Sequence, residues 1–510
     1  MQFPETYNAA VDMVDRNVEL GRGDRTAFID PERELTYGAL RDRTNQVANM
    51  LTGRGLKRET RVAMIMLDTV DFPCVFWGAI KAGIVPVALN TLLTADQYRY
   101  MLDDCRAEVL FVSAFLYPVV EPILPELEFA RTVIVCGGET GGHETLEATL
   151  AGASTDFAPV ATSADETAFW LYSSGSTGSP KGVRHVHTSP MFTAEKFGKD
   201  VLGFEETDVV FSAAKLFFAY GLGNGMSMPM AVGATTILLP DRPTPQSVFA
   251  ILKKHRPTYY FGVPTLYAAI LADPSCTRET GSAELKLCVS AGEALPREVG
   301  QAWKQRFGVD IIDGVGSTEM LHVFLSNRPG DVRYGTSGKA VPGYELRLVD
   351  EHDAEVSGDE IGELLVNGSS SADGYWNKRQ KSRDTFQGNW TRTGDKYYRD
   401  ADGYYHYCGR TDDMFKVSGI WVSPFEVESA LIGHAAVLEA AVVPHADDDD
   451  LLKPKAFVVL KSGVSADGLY DELKEHVKGA IGRWKYPRWI EFVDDLPKTA
   501  TGKIQRFKLR

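Results

Sequence analysis

Tyr172-Ser173-Ser174-Gly175-Ser176-Thr177-Gly178-Ser179-Pro180-Lys181-Gly182 follows a short apolar run at 168–171 that predicts a strand. These eleven residues hold three glycines, five Ser or Thr hydroxyls and one lysine. Glycine lets backbone N–H groups turn toward a ligand with no Cβ in the way. Successive N–H groups, hydroxyls and a lysine form a cradle for phosphate oxygens. A Gly/Ser cluster also suits a surface turn, so the stretch by itself leaves both readings open. It is not a G-x-x-x-x-G-K-[ST] loop, because Lys181 stands behind Pro180 and no metal-holding hydroxyl follows it. A standard P-loop NTPase is disfavoured.

Outward from the loop, short β-branched runs alternate with helical patterns from about residue 25 to 300. Strands are expected at 62–67, 85–88, 109–112, 132–135, 209–212, 235–239, 259–262 and 285–290. Helices are expected to run to about Ala82 and to begin near Thr94. This alternation implies parallel sheets covered on both faces. Ligands of such sheets collect at the carboxyl ends of strands, where the Gly-rich loop falls. Residues 137–162, rich in Gly, Ala and Thr, are expected to link two subdomains. From about 344 to 407 the pattern becomes alternating runs between Gly/Asp turns, which predicts a small antiparallel β unit. The last hundred residues return to mixed α and β, with strands at 439–443, 456–460 and 489–493 and a helix at 470–481. The acidic run 447–450 reads as a solvated loop, and no internal repeat suggests a solenoid.

A chain of 510 residues exceeds one ordinary core and predicts several domains. Its 44% hydrophobic and 24% charged residues are those of a soluble globular protein. A net charge of −15 argues against nonspecific binding to nucleic acid or an anionic membrane, while allowing a local basic site. The six cysteines are scattered without a C-x-x-C pair, as in reduced cytosolic proteins. Residues 1–22 show no signal-peptide pattern, and the apolar run 75–80 is broken by Lys81, far short of a bilayer span. A soluble cytoplasmic protein is expected.

Five further segments carry polar chemistry. Ser290-Ala291-Gly292-Glu293-Ala294 closes a predicted strand and alone is an ordinary turn. Asp313-Gly314-Val315-Gly316-Ser317-Thr318-Glu319 joins glycines to a hydroxyl and a carboxylate at a strand end. Magnesium takes one or two carboxylates plus substrate phosphates, although a helix N-cap with an early acid has the same composition. Thr393-Gly394-Asp395 and Gly409-Arg410-Thr411-Asp412-Asp413 read separately as a β-turn and a surface ion pair. In Pro497-Lys498-Thr499-Ala500-Thr501-Gly502-Lys503, near the C-terminus, a lysine is ordinarily a solvated charge.

Together, in order and spacing across about 330 residues, these segments resemble the signature motifs of the adenylate-forming enzymes. That family comprises acyl- and aryl-CoA synthetases, adenylation domains and luciferases. The resemblance implies that Ser173, Ser174, Gly175, Ser176, Thr177, Gly178 and Lys181 hold ATP phosphates while a carboxylate attacks the α-phosphate. Ala291, Gly292, Glu293, Asp313 and Gly314 would lie along adenine and ribose, with Thr318 on a phosphate and Glu319 on Mg2+. Asp395 would accept from the ribose hydroxyls, and Arg410 would add a cation beside them. Lys416, Ser418, Gly419 and Trp421 resemble the segment that lines the CoA tunnel. Lys503 matches the catalytic lysine that bridges carboxylate and α-phosphate, offsetting charge where two anions meet; Lys498 is not assigned that role. Asp412 matches the hinge. The implied architecture is α/β: an N-terminal domain (1–409) of parallel-type sheets plus the antiparallel β unit, a hinge (410–413), and a small α+β C-terminal domain (414–510).

The acyl group is addressed by Phe217-Phe218-Ala219-Tyr220-Gly221, by Gly316-Ser317-Thr318-Glu319-Met320-Leu321-His322-Val323, and by Arg184-His185-Val186-His187. Aromatic stripes of this kind are more often core than pocket. Their wording nevertheless resembles benzoate–CoA ligases, which implies that Ala219, Tyr220, Gly316, His322 and Val323 line a flat, short slot suited to an aryl carboxylate. Val323 stands where isoleucine is expected in that group, leaving slightly more room. The implied reaction joins benzoate to CoA through benzoyl-AMP, with ATP, Mg2+ and CoA, no nucleic-acid or membrane partner, and a monomer or homodimer. A ligase for 4-hydroxybenzoate or another small aromatic or cyclic acid is the alternative within the class. A non-catalytic nucleotide-binding scaffold is the alternative outside it.

Overall fold

The computed structural model describes residues 1–138, 141–173, 179–273, 275, 277, 279, 281, 283–411, 413–417, 420–447, 451–482, 485–498 and 504–510. These residues form two large sheets, a smaller antiparallel sheet and a separate C-terminal layer. The first large sheet has eight strands in the order Gly374–Tyr375, Lys181–Val186, Thr167–Ser173, Val85–Ala88, Arg61–Ile65, Val109–Ser113, Thr132–Cys136, Glu144–Thr145. From Thr167–Ser173 onward its strands run parallel. The second has nine strands, with Tyr259–Gly262, Leu287–Ala291 and Ile311–Gly316 parallel neighbours and antiparallel strands at its edges. Val85–Ala88, Val109–Ser113, Tyr259–Gly262 and Leu287–Ala291 are buried at every position, as strands covered on both faces must be.

Helices Tyr37–Gly53 and Asp71–Lys81 lie between the two sheets, and one apolar cluster joins both. Thr36 caps the first, accepting from the Ala39 N–H. Gly78 lets the pair approach: a Cβ there would stand 2.6 Å from Val47 Cβ. Helix Ala95–Cys105 starts at a Thr94/Gln97 capping box, one residue past the predicted start.

The expected strands form, most with ends within two residues; the two longest C-terminal strands, Val437–Ala446 and Leu452–Leu460, extend up to three and four residues beyond expectation. Two features depart from expectation. Residues 137–162 do not link subdomains, because they join two strands of the same sheet. The chain adds an edge strand at Glu144–Thr145, then returns across helix Tyr37–Gly53 to the middle of the sheet. Asn45 and Asn49 of that helix hold the return segment through the Thr155, Ser154 and Asp156 carbonyls. Secondly, the strands flanking the Gly-rich stretch pair antiparallel within this sheet, with Ser173 opposite Lys181.

The antiparallel unit is built of Glu345–Val349, Gly362–Asn367, Trp390–Arg399, Tyr405–Arg410 and the short Phe386–Gln387. The C-terminal layer pairs Val437–Ala446 with Leu452–Leu460 and adds Trp489–Phe492 in parallel. Helices Pro424–Ile432 and Leu469–Ile481 cover it, and Val427, Leu431, Val442, Val458, Leu473 and Val477 give it a core of its own. Among the described residues no helix is long and apolar enough to cross a membrane.

Candidate active site

The antiparallel pairing of Thr167–Ser173 with Lys181–Val186 brings Lys181 to the carboxyl edge of the eight-stranded sheet, where Gly374–Tyr375 pairs with its strand. The Lys181 ammonium lies 4.6 Å from the centre of the Tyr375 ring. Burial lowers its pKa; Glu319 opposes that shift, whereas Lys381 and Arg410 reinforce it. The Tyr375 hydroxyl donates to Glu319 Oε1 at 2.8 Å, and the Glu319 carbonyl accepts from the Ala372 N–H at 2.8 Å. Beside it the Thr318 carbonyl lies 2.9 Å from His185 Nε2. His185 is buried against Phe169, and burial pushes its pKa down to about 4, so it stands as a neutral donor. Ser174, Gly175, Ser176, Thr177 and Gly178 lie outside the described residues. Tyr375 was not anticipated; its only sequence signal is an aromatic pair after Gly374 in a stretch otherwise read as part of the antiparallel unit.

Among the described residues no cluster of three or more His, Cys, Asp or Glu could hold a metal. Glu319, the expected ligand, offers one carboxylate held in place by Tyr375. That fits Mg2+, which completes its shell with phosphate oxygens and water.

The two segments expected to lie along the nucleotide end side by side. Strands Leu287–Ala291 and Ile311–Gly316 are parallel, with Ser290 opposite Asp313 and Ala291 opposite Gly314. Gly292 then turns the chain with φ +94°, a conformation glycine adopts freely. Burial pushes the Asp313 carboxyl well above its ordinary pKa, and the Leu295 N–H donates to it at 3.3 Å. Asp395 and Arg410 face each other across adjacent strands and form an ion pair at 3.0 Å. Arg410 also donates to the Thr393 carbonyl at 2.9 Å. Gly394, at φ +72°, leaves room for the guanidinium, since a Cβ would stand 2.8 Å from Arg410 Nη2. The charge of Arg410 reaches Lys181 and Tyr375, and Tyr397 feels both Asp395 and Asp313. These residues therefore share one electrostatic environment.

The expected acyl residues also come together. Tyr220, in helix Ala219–Leu222, stacks on His322 with centroids 5.8 Å apart, and its hydroxyl donates to the Val289 carbonyl at 3.1 Å. His322 Nε2 lies 3.0 Å from Asn224 Oδ1 and 3.3 Å from the Tyr220 carbonyl. Both partners are acceptors, so Nε2 carries the proton. Burial drives the His322 pKa down to about 3. Gly316 pairs with Val323 across strands, and a Cβ on it would stand 2.6 Å from the His322 carbonyl oxygen. A Cβ on Gly314 would stand 3.1 Å from Val323 Cγ1. Asn224, which orients His322, was not anticipated, because an asparagine inside a Gly/Met-rich stretch gives no pattern of its own.

Lys503, Asp412, Ser418 and Gly419 lie outside the described residues. The flanks of the lysine segment are tied together: Lys498 bridges Ile504, and the Gln505 N–H donates to the Pro497 carbonyl at 2.7 Å. The Ile504 N–H then donates to Glu293 Oε1 at 3.1 Å, joining the chain's tail to the 290–294 segment. Lys498 is engaged by Glu439 at 2.6 Å and Asp495 at 2.9 Å. Lys416 and Trp421 occupy opposite positions in the hairpin Phe415–Val417 and Ile420–Val422. The five described cysteines are buried, and burial pushes the thiols of Cys74, Cys105 and Cys408 up to about 12, which makes them poor nucleophiles.

A family model described as AMP-binding enzyme matches residues 14–376, and one for the AMP-binding enzyme C-terminal domain matches 426–503. The chain is 61% identical to a 4-hydroxybenzoate–CoA/benzoate–CoA ligase of Rhodopseudomonas palustris, over 99% of this chain and 94% of that one. It is 56% identical to a benzoate–CoA ligase of Thauera aromatica, over 100% and 97%. The crystal structure of the anthranilate–CoA ligase AuaEII with anthranoyl-AMP superposes with a TM-score of 0.97 at 44% identity, covering 100% of this chain and 98% of that one. The chain belongs to the AMP-binding enzyme family, the adenylate-forming enzymes, and within it to the acid–thiol ligases that use ATP, Mg2+ and coenzyme A.

Proposed function

We propose that this chain is a benzoate–CoA ligase. The observation that carries the reading is the slot built by Tyr220, His322, Val323 and Gly316: a stacked aromatic pair, a neutral imidazole and glycines too crowded to bear a side chain. Apolar walls with few polar groups suit an unsubstituted aryl carboxylate. Relatives named for benzoate at 56% and 61% identity support it.

In the first step a benzoate oxygen attacks the α-phosphorus of ATP and pyrophosphate departs, giving benzoyl-AMP. Lys181 and the hydroxyls of the Gly-rich loop hold the departing phosphates, Glu319 holds Mg2+, and Lys503 bridges the carboxylate and the α-phosphate. Asp395 accepts from the ribose hydroxyls. The C-terminal domain (414–510) then turns on the N-terminal domain (1–409) about Asp412. The CoA thiolate enters past Gly419, with Lys416, Ser418 and Trp421 along its path, attacks the carbonyl carbon and expels AMP. ATP and CoA are supplied in the cytoplasm, where the enzyme acts as a monomer or homodimer.

One observation favours a second reading. His322 Nδ1 is buried with no hydrogen-bond partner, and as the unprotonated nitrogen it can accept from a ring hydroxyl. That would suit 4-hydroxybenzoate. CoA-thioester formation compared for benzoate, 4-hydroxybenzoate, 2-aminobenzoate, cyclohexanecarboxylate and hexanoate tests both. A kcat/KM advantage for benzoate supports the first reading, and an advantage for 4-hydroxybenzoate supports the second. Preference for hexanoate overturns the slot, and AMP release without thioester overturns the CoA half-reaction.

A further inference from the structure

At the amino edge of the eight-stranded sheet, opposite the edge that carries Lys181, three arginines surround a cavity of about 440 Å³. Arg61 begins strand Arg61–Ile65, Arg131 directly precedes Thr132–Cys136, and Arg106 ends helix Ala95–Cys105 in a left-handed conformation (φ +53°). The sheet gathers them. The Glu108 N–H donates to the Arg61 carbonyl at 3.0 Å and the Arg131 N–H to the Glu108 carbonyl at 2.9 Å, so three neighbouring strands start side by side.

Among the described residues none of the three arginines has a carboxylate oxygen within ion-pairing distance, in a chain with a net charge of −15. Arg61 caps the Cys105 and Glu59 carbonyls at 2.9 and 3.0 Å. The side chains of Arg106 and Arg131 make no hydrogen bond there. Aromatic faces hold two of the guanidiniums: Arg61 lies 5.8 Å from the Trp170 ring centre and 5.5 Å from Trp376, and Arg106 lies 5.6 Å from Trp376 and 5.8 Å from Phe129. These ring faces hold the guanidiniums of Arg61 and Arg106 in place, and the Arg106 and Arg131 N–H groups keep their hydrogen-bonding capacity. Glu108 is the one acid in the lining, so the cavity carries a net charge of two positive units from its three arginines. Its aromatic surfaces are already taken by guanidiniums, which leaves hydrogen-bond donors as the principal unused groups.

We propose that this cavity is a second anion site that binds phosphate-type anions, either free pyrophosphate or the phosphates of a nucleotide. Bidentate arginine–phosphate contacts suit both sources. The cavity is joined to the catalytic centre through Trp376. Its backbone N–H donates to the Gly182 carbonyl at 2.8 Å, and its neighbour Tyr375 holds Glu319.

The test is calorimetric titration of the full chain in magnesium-free, phosphate-free buffer with pyrophosphate, phosphate, ATP and CoA as separate probes. The wild type is compared with R106S/R131S, two exposed arginines outside the catalytic machinery. The expected result is a site in the wild type that weakens at least about tenfold in the double variant, as loss of charge-assisted hydrogen bonds implies, while thioester formation is retained. Binding of pyrophosphate alone identifies the free anion as the occupant, and binding of ATP or CoA alone identifies nucleotide phosphates. Identical site number and affinity in both proteins overturns the proposal. If the double variant fails to fold, a crystal of the wild type soaked in pyrophosphate decides: density between Arg61, Arg106 and Arg131 supports the site, and its absence overturns it.

Discussion

The hydroxyl of Tyr375 reaches Glu319 Oε1 at 2.8 Å across 56 residues of chain, and the same ring lies under the Lys181 ammonium. One aromatic side chain therefore touches both the expected magnesium ligand and the expected phosphate lysine. The short strand Gly374–Tyr375 exists to make that contact possible: it leaves the antiparallel unit and joins the edge of the eight-stranded sheet beside Lys181–Val186.

Replacing Tyr375 by Phe keeps the ring and removes the hydrogen bond. A hydrogen bond to a charged group is worth about 1.5–3 kcal/mol, so ATP–pyrophosphate exchange should fall roughly 10- to 100-fold. The defect should be largest when Mg2+ is limiting, because a loosened Glu319 holds the ion less well. Exchange that matches the wild type at every magnesium concentration would reduce Tyr375 to packing.

Lys503 is expected to act only in adenylation. In Lys503→Ala, benzoyl-AMP formation should drop by about 100- to 1000-fold, the size of losing one preorganised donor at a developing charge. Thioester formation from supplied benzoyl-AMP and CoA should remain within a few-fold of wild type. Equal loss in both half-reactions would show that the substitution disturbs the fold around Ile504 and Glu293 instead.

Much of this site was legible because its parts are local in sequence. The Gly-rich stretch and the Asp313–Glu319 segment each bring their glycines and polar groups within eleven residues at a strand's end, whereas Asp395 and Arg410, fifteen residues apart, are brought together by the pairing of adjacent strands. What escaped were contacts made by the tertiary fold. Tyr375, Asn224 and the three edge arginines have ordinary local surroundings, and only strand order and helix packing bring them to their partners. The return of residues 137–162 to the same sheet escaped for the same reason, since strand order is set by long-range pairing that local composition does not encode.

Three buried histidines make the chain sensitive to acid. Burial pushes His185 and His187 down to about 4 and His322 down to about 3, from the ordinary 6.5. The unfolded chain therefore binds more protons than the folded one below pH 6.5, and these groups remove stability as the pH falls toward 4. Each contributes up to about 1.4 kcal/mol per pH unit in that window. Asp68, raised to about 6 by burial, and Asp313, raised well above its ordinary 3.8, work in the opposite direction above pH 3.8. In NMR spectra of protein labelled at histidine Cε1, these three resonances should hold their neutral-form shifts from pH 8 to about 5. A midpoint near 6.5 for His322 would mean that its ring is open to water.

In the proposed function Val323 would set the depth of the acyl slot together with Gly314, on which a Cβ would stand 3.1 and 3.2 Å from the two Val323 methyl carbons. The wall is thus close-packed on the Gly314 side, so a larger residue at 323 would have to expand away from it. Val323→Ile adds one methylene there. A methylene in an apolar pocket changes discrimination by about 1–3 kcal/mol, so kcat/KM for 4-hydroxybenzoate and 4-fluorobenzoate should fall about 10- to 100-fold relative to benzoate. Benzoate itself should lose little, because the unsubstituted ring does not reach the added carbon. The shape of the outcome identifies its cause. Parallel loss for all three acids would mean that the strand pairing of Gly316 with Val323 had shifted, whereas a loss confined to the substituted rings locates Val323 at the far end of the slot.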